Sequence, residues 1–292
     1  MRALVIGASG QVGGAIASLL GKRGHDVVGT HHGQSQPGTR ALDLTDATAT
    51  ERCIADFEPD WVICPAALTA VDYCESHTDE AMAANRDAPA AAARAAAKRG
   101  AGFVYFSTEY VFDGTAGPYA EDDPVNPQSV YARSKLEGER RAVEENPRTI
   151  VIRTTVVYGP EHQGKNTVYQ ILRRARAGEP IRVPNDQRTS PTYNVDLAAA
   201  TVELIELDFR GVLNVAGPVV IDRHAFALEV CAAFSLDAGL VEGVTTESMR
   251  QPARRPLSAG LTIDRARSLL RTALRGPREA LEDMRRALES VR

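Results

Sequence analysis

Residues 2–13 read Arg-Ala-Leu-Val-Ile-Gly-Ala-Ser-Gly-Gln-Val-Gly, and few folds accommodate such a stretch. A short apolar run passes directly into Gly7, Gly10 and Gly13. Val12, Ile16, Leu19 and Leu20 then recur at helical spacing. The order is therefore buried strand, tight glycine turn, helix. Glycines allow the backbone to turn sharply and let a pyrophosphate approach it closely. The helix N-terminus supplies free N–H groups and a favourable dipole. The spacing is GxxGxxG rather than GxGxxG. Read in its strand–helix context, it points to dinucleotide binding by Gly7, Gly10, Gln11, Val12 and Gly13, against the alternative of a purely structural turn.

The following segments continue the alternation. Asp26–Thr30 reads as a second strand and Ala41–Leu44 as a short third one. Thr45 and Asp46 cap a helix to about Phe57, and Trp61–Cys64 is a fourth strand. Asp79–Arg99 is alanine-rich and helical, with Pro89 expected to interrupt or kink it. Phe103–Ser107 is a fifth strand. This order is the signature of an α/β fold, a doubly wound parallel Rossmann sheet. Its second strand ends in Thr30-His31-His32, without the acid that would grip ribose hydroxyls and repel a 2′-phosphate. The cofactor expectation is thus NADPH or NADH, with NADP favoured. Thr30 and His31 are expected at the cofactor, the His31-His32 pair either near a 2′-phosphate or as exposed loop residues, and Asp43 and Leu44 at the adenine edge. The small residues Ala66 and Ala67 at the end of the fourth strand let a flat ligand pass. Arg40 is a further candidate phosphate partner.

Composition excludes several other classes. Among 292 residues, 43% are apolar and the formal net charge is −4, which gives no support for nucleic-acid binding. No apolar stretch is long enough to span a membrane, and no signal peptide precedes the first strand, so a cytoplasmic location is expected. Cys53, Cys64, Cys74 and Cys231 show no CxxC spacing and read as reduced thiols, and no metal site is expected.

The chemistry concentrates between Ser107 and Lys135. Thr108 ends the fifth strand. After a loop rich in Gly and Pro, whose Glu121-Asp122-Asp123 run is expected to be solvated, Ser129 opens a helix. Tyr131 and Lys135 lie four apart on it and share a face. Thr108, Tyr131 and Lys135 are the candidate catalytic residues. A phenol can give a proton to a developing alkoxide, and a neighbouring ammonium is expected to lower the phenol's pKa. Thr108 can hydrogen-bond the same oxygen. Lys135 can also hold nicotinamide ribose hydroxyls, which makes Tyr131 and Lys135 cofactor contacts as well.

These motifs resemble the extended short-chain dehydrogenase/reductase family, and within it the dTDP-4-dehydrorhamnose reductases. The similarity runs through Gly7-Ala-Ser-Gly-Gln-Val-Gly13, Ala66-Ala-Leu-Thr-Ala-Val-Asp72, Asn85 and Ser107-Thr-Glu-Tyr-Val-Phe-Asp-Gly114. It continues in Arg153-Thr-Thr-Val-Val-Tyr-Gly159, Gly164-Lys-Asn166, Asn185-Asp-Gln187 and Pro191-Thr192. The resemblance implies a Thr108–Tyr131–Lys135 triad and reduction of the 4-keto group of a nucleotide-linked 4-keto-6-deoxy sugar. It also implies substrate contacts from Thr69, Val71, Asp72, Glu109, Tyr110, Asn166, Gln187 and Arg255, and, by analogy, a homodimer. Glu109 stands where the family has aspartate, Cys64 where it has asparagine, and Thr167 where it has phenylalanine. Arg255-Pro-Leu-Ser-Ala-Gly-Leu261 lacks the family's Asn-Ser pair. Two alternatives remain open: a nucleotide-sugar epimerase or dehydratase, and a non-catalytic NADP-binding subunit like the regulatory beta subunit of methionine adenosyltransferase.

The C-terminal part supplies a smaller, discontinuous substrate domain. Residues 1–159, completed by 192–216, are expected to form the dinucleotide-binding domain, and 160–191 with 217–292 the substrate-binding one. Thr167–Ala177 is an amphipathic helix. Its Arg173, Arg174 and Arg176 meet either a nucleotide diphosphate or solvent. Residues 241–255 read as a linker.

Overall fold

The computed structural model describes residues 1–290. Strand β1 (Arg2–Val5) is central, with Ala3, Leu4 and Val5 wholly buried. Helix α1 (Gln11–Lys22) leaves the glycine turn, and β2 (Asp26–His31) pairs with β1 from Arg2↔Asp26 to Val5↔Gly29. The third strand, β3, occupies Thr39–Ala41 rather than 41–44. The reason is local: Oδ1 of Asp43 accepts both the N–H and the hydroxyl of Thr45, and this turn draws residues 42–44 out of the sheet. Asp46 then caps α2 (Ala47–Phe57) by accepting the Ala49 N–H.

Strand β4 (Trp61–Cys64) is buried throughout. A short helix α3 (Val71–Ser76), too brief to show a period, had no counterpart in the sequence expectation. The alanine-rich segment is α4 (Thr78–Met82), a π-helical stretch Ala83–Asp87 and α5 (Ala88–Ala97). Pro89 does not break this run. It sits in the first turn of α5, directly after the wider π turn, where the ring and missing N–H are tolerated. Strand β5 (Gly102–Thr108) is buried along its whole length, and α6 (Val130–Glu145) is capped by Ser129. Strand β6 (Thr149–Thr154) follows.

From there the chain builds a second, smaller unit. It comprises β7 (Val157–Tyr158), α7 (Thr167–Arg176), β8 (Ile181–Pro184), β9 (Arg188–Thr189) and β10 (Thr192–Tyr193). Helix α8 (Asn194–Glu206) and β11 (Gly211–Asn214) return to the large sheet. Then come β12 (Ile221–Asp222), α9 (Arg223–Ala233), β13 (Val241–Val244), α10 (Asp264–Leu269) and α11 (Pro277–Glu289). The large sheet has seven strands in the order β11-β6-β5-β4-β1-β2-β3, and every pairing is parallel. The small unit holds three two-stranded ribbons and a separate core around Tyr158, Ile171, Tyr193, Phe226 and Met284. Part of the expected linker is β13, which pairs with β8 from Val241↔Ile181 to Val244↔Pro184. An edge strand of four residues carries no readable period, so only its partner reveals it. Among the described residues no helix is long and apolar enough to cross a membrane.

One of the expected solvated acids is buried. Oε1 of Glu121 accepts the Asn214 N–H at 3.0 Å, and its carbonyl accepts Nη1 of Arg153 at 3.0 Å. Arg153 also grips Glu139 through two bonds of 3.0 and 2.8 Å. This network ties α6, and so the Tyr131–Lys135 face, to β6 and β11.

Candidate active site

The site lies at the carboxyl end of the large sheet, where strand order reverses between β1 and β4. Gly7 turns with φ +95°, against Ala66 at the end of β4. At Gly13 a Cβ would stand 2.3 Å from the Gly7 carbonyl oxygen, so only glycine lets α1 approach the turn. The N-terminus of α1 has no side-chain cap and no acid in its first turn, which leaves its N–H groups for an anion. Val12 packs against the core, whereas Oε1 of Gln11 is buried without a partner. Beside the turn is a cavity of about 490 Å³ lined by Gly7, Thr30, His31, Asp43, Leu44, Ala66 and Ala67, all expected at a dinucleotide. The hydroxyl of Thr30 accepts the Gly7 N–H, and Nδ1 of His31 is bonded to the Thr39 hydroxyl at 2.7 Å. His32, exposed, also lines this cavity, and Arg40 is exposed on β3. Hydrogen bonds from Thr45 hold the Asp43 carboxyl below the usual range. The glycine cradle, the open helix end and the small Ala66-Ala67 wall fit a nicotinamide dinucleotide.

Thr108 at the end of β5, and Tyr131 and Lys135 on α6, which packs on β5, stand at the same carboxyl end of the sheet, two strands from the glycine turn. Thr108 ends β5. Its hydroxyl donates to Oε2 of Glu109 at 2.9 Å and accepts the Tyr110 N–H at 3.2 Å. The Tyr131 phenol lies close to the Thr108 hydroxyl, with the Tyr110 ring edge-on at 5.8 Å. Burial, reinforced by the Glu109 charge, pushes the phenol well above its ordinary value. That reverses the expectation that the neighbouring lysine would lower it: desolvation dominates, and the charge that acts on the phenol is that of Glu109. Lys135 is itself almost wholly buried, with Nζ 4.1 Å from the centre of the Tyr105 ring. Desolvation lowers its pKa to about 8, opposed by Cys64 and Glu139. Asn85, also wholly buried, fixes the surroundings. Its side chain accepts the Leu68 N–H and donates to the Leu68 carbonyl and the Ser134 hydroxyl, binding the β4 loop to α6.

The remaining candidates fall into two groups. Val71 and Tyr110 pack around Tyr131, and Glu109 joins Thr108, so these stand at the triad. Thr69 is exposed on the loop after β4. Asp72 and Arg255 hold one another through two bonds of 2.9 and 2.8 Å, and Asp72 also accepts the Ala253 N–H. Asn166 caps α7 with Oδ1 and donates to the Gly159 carbonyl, while Gln187 donates to the Thr246 hydroxyl. Their polar atoms are thus engaged within the chain. Arg173, Arg174 and Arg176 are exposed, and two of them line a separate cavity with Tyr169 and Arg285.

Two residues at the site escaped the sequence reading. Thr155 donates to Oε1 of Glu109 at 2.6 Å, and Arg223, at the start of α9, places its charge near the Tyr110 phenol. Thr155 lay inside a motif without a distinguishing signal. Arg223 is brought in by the small domain from far along the chain.

The family model described as RmlD substrate binding domain matches residues 1–290. A dTDP-4-dehydrorhamnose reductase of Mycobacterium tuberculosis is 38% identical over 94% of this chain and 93% of its own length. Methionine adenosyltransferase 2 subunit beta of Bos taurus is 31% identical over 92% of this chain and 82% of its own length. The crystal structure of dTDP-4-dehydrorhamnose reductase from Bacillus anthracis in complex with NADP superposes with a TM-score of 0.90. It is 27% identical and covers 98% of this chain and 99% of that one. With a glycine cradle for a dinucleotide, a Thr-Tyr-Lys cluster beside it and this match along its length, the chain belongs to the RmlD substrate-binding-domain family of the extended short-chain dehydrogenase/reductases, NAD(P)-dependent oxidoreductases of nucleotide-sugar biosynthesis.

Proposed function

We propose that the protein reduces the 4-keto group of a nucleotide-linked 4-keto-6-deoxy sugar, with dTDP-4-dehydro-L-rhamnose as substrate and dTDP-L-rhamnose as product. The observation that carries this reading is the placement of Thr108 at the end of β5, close to the Tyr131 phenol, with Lys135 one turn further along α6, at the carboxyl end of the sheet that also carries the glycine cradle. The bound cofactor supplies the hydride. Tyr131 gives its proton to the oxygen that becomes the alcohol. Its raised pKa keeps it protonated at neutral pH, as a proton donor must be. Thr108 orients the carbonyl, and Lys135 holds ribose hydroxyls and offsets the phenolate left after transfer. Arg223, beside Tyr110, gives the substrate crevice positive charge suited to a nucleotide diphosphate.

NADPH is the proposed donor. The end of β2 carries His31 and His32 in place of an acid, and Arg40 lies beside Thr30 in the sheet register. The similar Bacillus anthracis reductase was crystallised with NADP. The domain division proposed is 1–159 with 192–216 for the cofactor, and 160–191 with 217–292 for the sugar nucleotide. A second reading, a cofactor-binding subunit without turnover, is favoured by the likeness to the bovine subunit beta. Consumption of NADPH by the purified chain with dTDP-4-keto-6-deoxy-L-mannose separates the two. Tyr131→Phe is expected to lower kcat about a hundredfold or more while cofactor affinity stays within a few-fold. Tight cofactor binding with no NADPH consumption would overturn the reductase reading, and undiminished turnover by Tyr131→Phe would overturn the assignment of the proton donor.

A further inference from the structure

Glu109 is 4% exposed and lies against the candidate proton donors, yet the reductive step as derived gives it no part. Both its oxygens are engaged. Oε2 accepts the Thr108 hydroxyl at 2.9 Å, and Oε1 accepts the Thr155 hydroxyl at 2.6 Å. Thr155 in turn touches the hydroxyl of Thr189 on β9. Tyr131 faces Glu109 from α6 and Arg223 from α9, while Tyr110 follows it in the chain.

A threonine hydroxyl has one proton to donate and two lone pairs, and an ionised carboxylate only accepts. With Glu109 ionised, the Thr108 proton points at Oε2. One lone pair of Thr108 takes the Tyr110 N–H, and the other is open to the Tyr131 phenol. Both triad hydroxyls are then turned inward, and neither donates to a substrate oxygen. When Glu109 is protonated, its O–H donates to Thr108. The lone pairs of Thr108 are filled by Glu109 and the Tyr110 N–H, its own proton turns to the substrate, and the Tyr131 proton follows.

We propose that Glu109 is a positioning residue whose protonation sets the direction of the Thr108 and Tyr131 hydroxyls and so switches the site between an inward and a substrate-facing hydrogen-bond pattern. Burial pushes the Glu109 carboxyl up from its ordinary value, and the hydrogen bonds from Thr155 and Thr108 oppose this, as does the Arg223 charge. The inference rests on the reductase reading for its kinetic consequence. The titration of Glu109 is independent of that reading.

The experiment compares kcat against pH for the wild type, Glu109→Gln and Thr155→Val, with NADPH and the dTDP-linked 4-keto sugar. The amide of Glu109→Gln can accept from Thr155 and donate to Thr108 permanently. The wild type is expected to lose activity about tenfold per pH unit above the Glu109 ionisation. Glu109→Gln is expected to lose that limb, retaining only the one set by Lys135. Thr155→Val removes a donor to the carboxylate and is expected to move the limb to higher pH. A merely structural role would lower kcat at every pH without moving the limb. Superimposable profiles for wild type and Glu109→Gln would overturn the proposal. Infrared difference spectra of the two proteins with NADP bound supply a readout without turnover. A protonated-carboxyl band in the wild type that fades over the same pH range is expected, and its absence at every pH would also overturn the proposal. If the wild type consumes no NADPH, the reductase reading falls, and the infrared titration still decides whether Glu109 changes protonation.

Discussion

Replacing Lys135 by methionine should lower turnover about a hundredfold and make the protein without cofactor more stable. Lys135 is 3% exposed, and its pKa falls from an ordinary 10.5 to about 8 because its charge is desolvated. At ~1.4 kcal/mol per tenfold, that fall corresponds to a folding penalty of about 3 kcal/mol. The contact with the Tyr105 ring returns about 1 kcal/mol, so the expected net gain in Lys135→Met is about 2 kcal/mol at pH 7. The sign follows from linkage. The folded pKa is the lower one, so between pH 8 and 10.5 the unfolded chain binds more protons and wild-type stability rises with pH. Below about 8 the penalty is fully present; towards 10.5 it disappears, and the advantage of Lys135→Met shrinks with it. Urea unfolding of both proteins without cofactor, at pH 7 and pH 10, measures this directly. A Lys135→Met protein no more stable than wild type at pH 7, or an advantage undiminished at pH 10, would refute the reasoning. Loss of NADPH oxidation by about a hundredfold in the same protein would place the lysine where function costs stability.

Two other substitutions test the scaffold. Gly13→Ala puts a methyl 2.3 Å from the Gly7 carbonyl, and the resulting overpacking of about 1–3 kcal/mol should appear both in unfolding and as cofactor affinity weakened about tenfold or more in a fluorescence titration. Glu139→Gln leaves the Arg153 charge buried without its partner and should cost about 3–5 kcal/mol in denaturant unfolding, whereas the apolar pair Arg153→Met with Glu139→Leu should recover most of that loss. Equal destabilisation of the single and the double variant would show that the pair contributes more than mutual neutralisation.

The elements legible in the sequence are those whose signals lie within a few residues. Strand β4 is a run of apolar residues at its observed bounds, and α6 announces itself by the Ser129 cap, which accepts the Ala132 N–H. The glycine turn was readable because Gly7 and Gly13 meet each other across a single turn. Where the reading missed, the deciding partner was remote or the segment too short. Strand β13 is defined by β8, and the burial of Glu121 by the Asn214 N–H on the edge strand β11. The expected drop in the Tyr131 pKa failed because spacing shows that a lysine is near but not how thoroughly both groups are dehydrated.

By itself, then, the sequence determined the alternation of strand and helix, the cradle at Gly7–Gly13 and the placing of Tyr131 and Lys135 on one helical face. Each depends on backbone geometry repeating over a turn or a pleat. Tertiary structure alone decided that Thr108 meets Tyr131, that Glu109 is buried between Thr108 and Thr155, and that Arg255 pairs with Asp72 across the chain. Those contacts join segments held together only by the packed sheet. The protonation behaviour of the site follows from the same burial, because the charge that water would otherwise stabilise is left to a handful of fixed hydroxyls and nearby cations.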